Sequence, residues 1–515
     1  MITIHTAVLH GIEAKPVFCE VSLDRGLPRS TIVGLVDKTV RESRERVRAA
    51  ISACGLRVPS GRLTVNFSPA DMQKHGSHLD LPIAVGMLAV GGMILDAGLS
   101  GYGFAGELSL DGRLNPIEGA LPICAALREQ GIRRVVVPAE NRKEAEMIRG
   151  LEVYPARDLR QIIDHLNLKE TIRPSRCEEG FELRKGEGTS GKTDPGPLDF
   201  SDVRGQEMAK RALVVAAAGG HDVYLLGNPS SGKTMMAKRV PTILPEMEEQ
   251  ERIECTSIYS VSGLLDRENP VVTERPFRAP NHRITVSGMI GGGGSPRPGE
   301  ITLAHCGVLF LDEAGEFSGN VIDSLRRPLE EKRVFFQRKD GAYRFPADFL
   351  LIAASNPCPC GYYGSPDHEC SCTPYQIRQY QSRISGPVME RIDIYLDIYP
   401  VEYEKMKEPN SMSSSEMRTL VERAREMQKK RFRGGPVRLN SEMDERMTER
   451  YVRPDPESEQ FLARAYHTLK LNPRTLMKTK KLARTIADLD GREEVRQSDF
   501  EEALRYRRRS RAFHV

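Results

Sequence analysis

The strongest constraint on this chain is the run DVYLLGNPSSGKT, from Asp222 to Thr234. Four apolar or aromatic residues run straight into G-x-x-x-x-G-K-[ST], the phosphate-binding loop pattern. Such a loop works when a buried strand delivers its glycines to the mouth of a parallel sheet. A helix must then begin at the lysine, so that unpaired backbone N–H groups and the helix dipole face the phosphates. The sequence meets both conditions: KTMMAKRVPTIL follows, compatible with a helix as far as Pro241. Gly227, Asn228, Pro229, Ser230, Ser231, Gly232, Lys233 and Thr234 are therefore the expected ATP-binding residues. A second match, GEGTSGKT from Gly186 to Thr193, meets neither condition. No sustained apolar run precedes it, and the prolines of DPGPLDF block a helix after it. It reads as a chance match in a linker rich in Gly, Ser and Lys.

Downstream, GVLFLDE (Gly307 to Glu313) is an apolar strand ending in two acids. A carboxylate at a strand end can hold Mg²⁺ beside a triphosphate, and the next can polarise the attacking water. Asp312 with Thr234 suits the metal role and Glu313 the water role. LLIAASNP places Asn356 at the end of another apolar strand, where it can bond a γ-phosphate or the water. Its bland reading is a turn-forming Asn before Pro357.

At 515 residues the chain exceeds one core, and alternating strand and helix patterns mark it as α/β. Residues 1–166 combine strand-like RLTVNFS and RRVVVPA with helical DKTVRESRERVRAAISACG and NRKEAEMIRG. Residues 167–200 are polar and read as a linker. Residues 201–400 hold the strands DVYLLG, GVLFLDE and DFLLIAASN of a parallel sheet, and residues 401–515 are helix-rich. The net charge is only +4, so any nucleic-acid binding must come from local patches. The longest apolar stretch, Leu81 to Leu95, is too short to cross a bilayer and reads as a core helix. With no leader pattern at the start, a cytoplasmic protein is expected.

The ordered motifs GNPSSGKT, FRAPNHR, GGGGSPRPGEITLAHCGVLFLDE, NPCPCG, SRISGPVMERID and LARTIADLDG resemble the ComM/YifB family, bacterial AAA+ ATPases related to magnesium chelatase. The resemblance covers nearly the whole chain. It implies a central AAA+ core, a C-terminal helical lid and a homo-hexamer holding ATP between neighbouring subunits. It implies a sensor role for Asn356, an arginine-finger role for Arg391 and a second sensor role for Arg474. It also implies action on single-stranded or branched DNA, by branch migration or helicase activity in recombination or natural transformation. A chelatase-like or protein-remodelling ATPase is the alternative. Two departures stand out: Ala314-Gly315 replaces Leu-Pro, and Asn281 replaces a His.

KRVFFQRKDGAYRFPADF reads as a hairpin around Asp340-Gly341. The resemblance turns its tip toward a central channel, where Arg338 and Lys339 from every subunit would form a cationic collar for DNA. Cys358, Cys360, Cys370 and Cys372 form two close pairs that can close a tetrahedral Zn²⁺ site next to Asn356. Free thiols or a redox pair are the other readings, and His368 is a possible substitute ligand. Gly106 to Asn141 resembles the Lon protease domain. The lysine of that enzyme's Ser–Lys pair aligns with Leu121, and its serine falls near His78 and Ser77. Leucine cannot accept a proton, so a retained fold without peptidase activity is expected.

Overall fold

The computed structural model describes residues 1–176, 198–266, 268–294, 296–338, 341–365, 368–383, 386–406 and 412–507. The GEGTSGKT match, Lys339 and the last arginines of the tail lie outside them.

The N-terminal part is built on a seven-stranded mixed sheet. Its order across the sheet is Arg29–Val33, Arg62–Ser68, Glu13–Asp24, Ile2–His10, Tyr102–Phe104, Arg134–Pro138 and Glu152–Ala156. Alternating burial along Arg62–Ser68 points Leu63, Val65 and Phe67 inward, the pattern of a strand with one covered face. The helix Asp80–Val90 is buried from Asp80 to Ala89, so the apolar Leu81 stretch forms a core helix, as its length requires. Helix Lys38–Ala53 starts where Asp37 accepts the Val40 N–H at 2.8 Å, an N-cap for otherwise unpaired donors. The first sheet keeps the chain beyond the expected linker start. Ser175 pairs with Val153 and Ile172 is buried, because an apolar residue there finds a core to enter.

The central part is a five-stranded, wholly parallel sheet. Its order is Phe277–Arg278, Val308–Leu311, Leu350–Ser355, Val223–Gly227 and Ile394–Ile398. The three central strands are buried along their full lengths, as parallel strands covered on both faces must be. The helix after the phosphate loop runs Lys233–Ile243, past the proline expected to end it. Pro241 stands in the last turn, where its missing N–H costs a single backbone bond.

The C-terminal helices do not form a core of their own. Leu482, Ile486 and Phe500 share one apolar cluster with Val223, Leu225, Phe310 and Ile352 of the sheet. Helix Ser414–Arg431 opens with a capping box between Ser413 and Glu416, and helix Pro473–Leu489 starts at Asn472, which accepts the Thr475 N–H. The proposed boundary near residue 401 therefore divides the chain, not the core. No helix among the described residues is long and apolar enough to cross a membrane.

The N-terminal part docks on the central part through polar and aromatic contacts. Ser260 Oγ donates to the buried Glu144 carboxylate at 2.7 Å, and the Gly119 N–H donates to the Ser260 carbonyl at 3.2 Å. His10 stacks on Tyr343 of the hairpin, with ring centroids 4.2 Å apart. A 380 Å³ cavity between the two parts is lined by Ser77, Glu107, Glu118, Arg297 and Tyr343.

Candidate active site

Strand register brings the phosphate loop, Asp312, Glu313 and Asn356 to one edge of the sheet. Leu226 pairs with Ser355, so the phosphate loop and Asn356 leave adjacent strands side by side. Gly227 sits where no side chain fits: a Cβ there would stand 2.2 Å from the Ile398 carbonyl oxygen. After the loop the helix begins at Lys233.

Lys233 is folded back into its own loop. Its Nζ donates to the carbonyls of Gly227 at 2.7 Å and Asn228 at 2.8 Å, and lies 3.3 Å from Asn356 Oδ1. Burial lowers its pKa to about 8, against the pull of Asp312 and Glu313. Thr234 Oγ1 donates to Asp312 Oδ2 at 2.8 Å. A hydroxyl and a carboxylate in contact at a strand end are the hard oxygen donors that Mg²⁺ selects. The Glu313 N–H donates to Asp312 Oδ1 at 3.0 Å, and its backbone is left-handed at φ 51°. That conformation turns the side chain away from the strand and leaves it more than half exposed, with His282 Nδ1 at 3.9 Å. Ala314–Glu316 then make a short 3-10 turn, so the Ala-Gly departure still gives a turn here.

The cysteine loop lies beside these residues. The four Sγ atoms of Cys358, Cys360, Cys370 and Cys372 all fall within 4.8 Å of one another. Three of the pairs are 3.3, 3.6 and 3.7 Å apart. A tetrahedral site with Zn–S bonds near 2.3 Å has S···S edges of about 3.8 Å, so the donor set fits zinc. Two backbone N–H groups already point at sulfur: Tyr363 N to Cys358 Sγ at 3.3 Å, and Cys360 N to Cys372 Sγ at 3.4 Å. N–H donors of this kind stabilise thiolates and fix their direction. His368 packs edge-on against Tyr362 and is not in the sulfur cluster.

Arg391 and Arg474 are not at this edge. The Asp393 and Ile394 N–H groups donate to the Asp222 carbonyl, which puts Arg391 where strands Val223–Gly227 and Ile394–Ile398 begin, whereas the phosphate loop lies where the first of them ends. A five-residue strand spans about 16 Å. There Arg391 Nη2 pairs with Glu330, and Arg474 lies 3.5 Å from the same carboxylate and 3.4 Å from Glu390. Both arginines line a 570 Å³ cavity with Asp222, Asp393, Lys478 and Lys481. Burial raises the Asp222 carboxyl pKa to about 6.

The hairpin forms from Arg333–Arg338 and Gly341–Pro346. Arg338 Nη2 donates to the Gly293 carbonyl at 2.5 Å, tying the hairpin to the glycine-rich segment. In the N-terminal part, Leu121 is fully buried at the aligned lysine position. Ser77 donates to Glu107, while Lys74 donates to the carbonyls of Pro69 and Met72. These two side chains therefore do not face each other as a serine and its base.

Sequence reasoning missed His282 beside Glu313, Glu330 between the two arginines, and the buried group around Asp393. Only His282 carried a signal, the FRAPNHR motif. The other contacts join residues far apart in the chain.

Family models agree with this architecture. One described as magnesium chelatase, subunit ChlI, matches residues 199–406. Others, subunit ChlI of Mg-chelatase and the ChlI C-terminal region, match residues 19–141 and 411–507. The chain is 37% identical to competence protein ComM of Haemophilus influenzae over 500 residues, covering 96% of this chain and 95% of that protein. It is 36% identical to the uncharacterized protein YifB of Escherichia coli, covering 98% and 96%. Over 261 residues it is 27% identical to Lon protease 2 of Bacillus subtilis, covering 45% of this chain and 40% of that protein.

Proposed function

The chain belongs to the ComM/YifB family of magnesium-chelatase-like AAA+ ATPases, and from that premise we propose that it is a hexameric motor that spends ATP to act on DNA. The activity proposed is branch migration or helicase action during recombination or natural transformation, in the bacterial cytoplasm. One observation carries the assembly: the phosphate loop and the arginine pair occupy opposite ends of the sheet. Each subunit then supplies half of two sites, and a ring completes them.

In this reading Lys233 leaves its carbonyl partners to meet the phosphates, together with the loop N–H groups. Thr234 and Asp312 would hold Mg²⁺, which when bound neutralises phosphate charge. Glu313 accepts a hydrogen bond from the attacking water and aligns it. Asn356 sits between lysine and water as a polar sensor. Arg391 and Arg474 reach across to the neighbour's nucleotide and stabilise the charge that develops during transfer. The N-terminal part keeps a Lon-like fold and does no peptide cleavage. Arg338 and Lys339 contact the phosphate backbone, a role that fits a hairpin presented by every subunit. Cys358, Cys360, Cys370 and Cys372 hold one zinc ion, which stiffens the loop beside Asn356.

The decisive measurement is the steady-state ATPase rate with and without single-stranded and four-way-junction DNA, with Lys233→Ala as the inactive reference. Stimulation by DNA that disappears in Lys339→Ala is the expected result. A rate indifferent to every DNA would favour a protein-remodelling ATPase and start the search for a protein partner. Metal analysis of the purified protein should return one zinc per chain; none would remove the zinc assignment.

A further inference from the structure

We infer that Lys478 is a positioning residue that locks the arginine finger to the helix carrying Arg474. The inference rests on the reading of Arg391 as a finger. Lys478 lies four residues after Arg474 on helix Pro473–Leu489, so both side chains leave the same helix face. Its Nζ donates to Asp393 Oδ1 at 2.6 Å, to the Arg391 carbonyl and to the Ile392 carbonyl at 3.2 Å. All three donor positions of the ammonium are thus spent on the three-residue segment that begins with the finger.

The other oxygen of Asp393 is held as well. His221 Nδ1 lies 2.9 Å from Asp393 Oδ2, and His221 Nε2 lies 2.8 Å from Thr485 Oγ1 on the same C-terminal helix. The Asn440 amide bridges Thr485 at 3.1 Å to Asp488 at 2.8 Å, and Asp488 pairs with Arg431. From a second helix, Arg507 donates to the carbonyls of Ile392 at 2.6 Å and Asp393 at 3.0 Å. The finger segment is therefore fixed by polar contacts from helices Pro473–Leu489 and Gln497–Arg507 and from His221, two residues before the phosphate-loop strand.

A buried ion pair is weak evidence for stability, because desolvating the two charges consumes most of their attraction. The Lys478 and Asp393 side chains are 14% and 12% exposed. Apolar residues of similar size would fill this space at little cost. The charges instead give direction: an ammonium with three fixed acceptors sets where the Arg391 backbone stands relative to Arg474. Lys478 thus makes the two arginines one rigid unit, presented together to the neighbouring nucleotide.

The test is steady-state ATPase kinetics of the assembled full-length protein carrying Lys478→Met, Lys478→Arg, Arg391→Ala, and Lys478→Met with Arg391→Ala. Lys478→Met should lower kcat by about tenfold with KM within about twofold, since its own phosphate loop is untouched. Lys478→Arg, which keeps the charge and the N–H donors, should recover part of that loss. The double variant should be no slower than Arg391→Ala alone, because a residue that acts through the finger has nothing left to position. A merely structural lysine would instead slow the Arg391→Ala background as well, and that result would overturn the proposal. So would wild-type turnover in Lys478→Met beside an inactive Arg391→Ala. Wild-type turnover in Arg391→Ala would remove the finger reading itself, and the proposal with it. Should Lys478→Met fail to assemble, His221→Gln loosens Asp393 from the opposite side without stranding its carboxylate, which keeps Lys478. It carries the same expectation and the same refutations.

Discussion

Gly361 of the cysteine loop lies directly against Pro229 of the phosphate loop. Its φ is +86°, and a Cβ on it would stand 2.6 Å from Pro229 Cγ and 3.8 Å from Asn356 Cγ. The cysteine loop thus buttresses the outer wall of the nucleotide site. An alanine at this position must both adopt a left-handed backbone and push the proline aside. Gly361→Ala should cost about 1 kcal/mol of stability, and it should raise KM for ATP more than it lowers kcat. Thermal unfolding together with ATP titration of the rate measures both; an unchanged KM would show that the contact is incidental.

The same buttress depends on the metal proposed for the four cysteines. Cys370→Ser removes one soft ligand, and it should lower zinc content and raise KM in the same direction as Gly361→Ala. Prolonged chelation of the wild-type protein should lower its Tm by a few degrees and give the same kinetic change. A zinc-loaded wild-type protein whose ATP kinetics are untouched by chelation would separate the metal from the site.

In the proposed site, Lys233 would link ATP binding to pH. Burial holds its pKa at about 8, below the ordinary 10.5. Phosphate oxygens favour the charged ammonium, so the bound state has the higher pKa. Between the two values binding takes up a proton, and affinity falls as pH rises. ATP affinity should therefore be flat below about pH 8 and weaken above it, by up to about tenfold per unit. Calorimetry in buffers of different ionisation enthalpy would detect the proton directly; no uptake at pH 9 would refute this account.

Ser260 ties the two halves of the molecule together. Its hydroxyl is a polar partner of a carboxylate whose pKa burial raises, and its carbonyl receives the Gly119 N–H. Ser260→Ala leaves Glu144 with fewer donors in a dry interface, at a cost of about 1–3 kcal/mol. The expected sign is a lower, broader thermal transition that begins to separate into two. A single transition at the wild-type temperature would show that the interface relies on other contacts.

Much of this architecture was legible in the sequence because it is written locally. A buried strand, a glycine loop and a helix start are consecutive residues around Gly227 to Lys233, and the hairpin is announced by two runs around Asp340-Gly341, although Gly341 belongs to the second strand, paired with Arg338, and not to the turn. The buried helix at Asp80–Val90 is announced by its own composition. Three things were not legible. Pro241 predicts a stop, yet the helix end nearby makes its missing N–H cheap. The polarity of residues 168–176 predicts linker, yet Ser175 pairs with the edge of the first sheet and Ile172 is buried in its core. The Asp393 group joins residues from 221 to 507, and no local pattern encodes a contact at such separations.

The apolar cluster that runs from the parallel sheet into the C-terminal helices limits how this molecule can do work. To hinge those helices away from the sheet, Leu482, Ile486 and Phe500 would have to meet water, at about 1.5–3 kcal/mol each. A lever with its own pivot inside the subunit is therefore expensive here. In the proposed ring, motion of whole subunits against one another would leave this shared core intact. Under that proposal the subunit is a solid tooth, and the stroke belongs to the gaps in the gear.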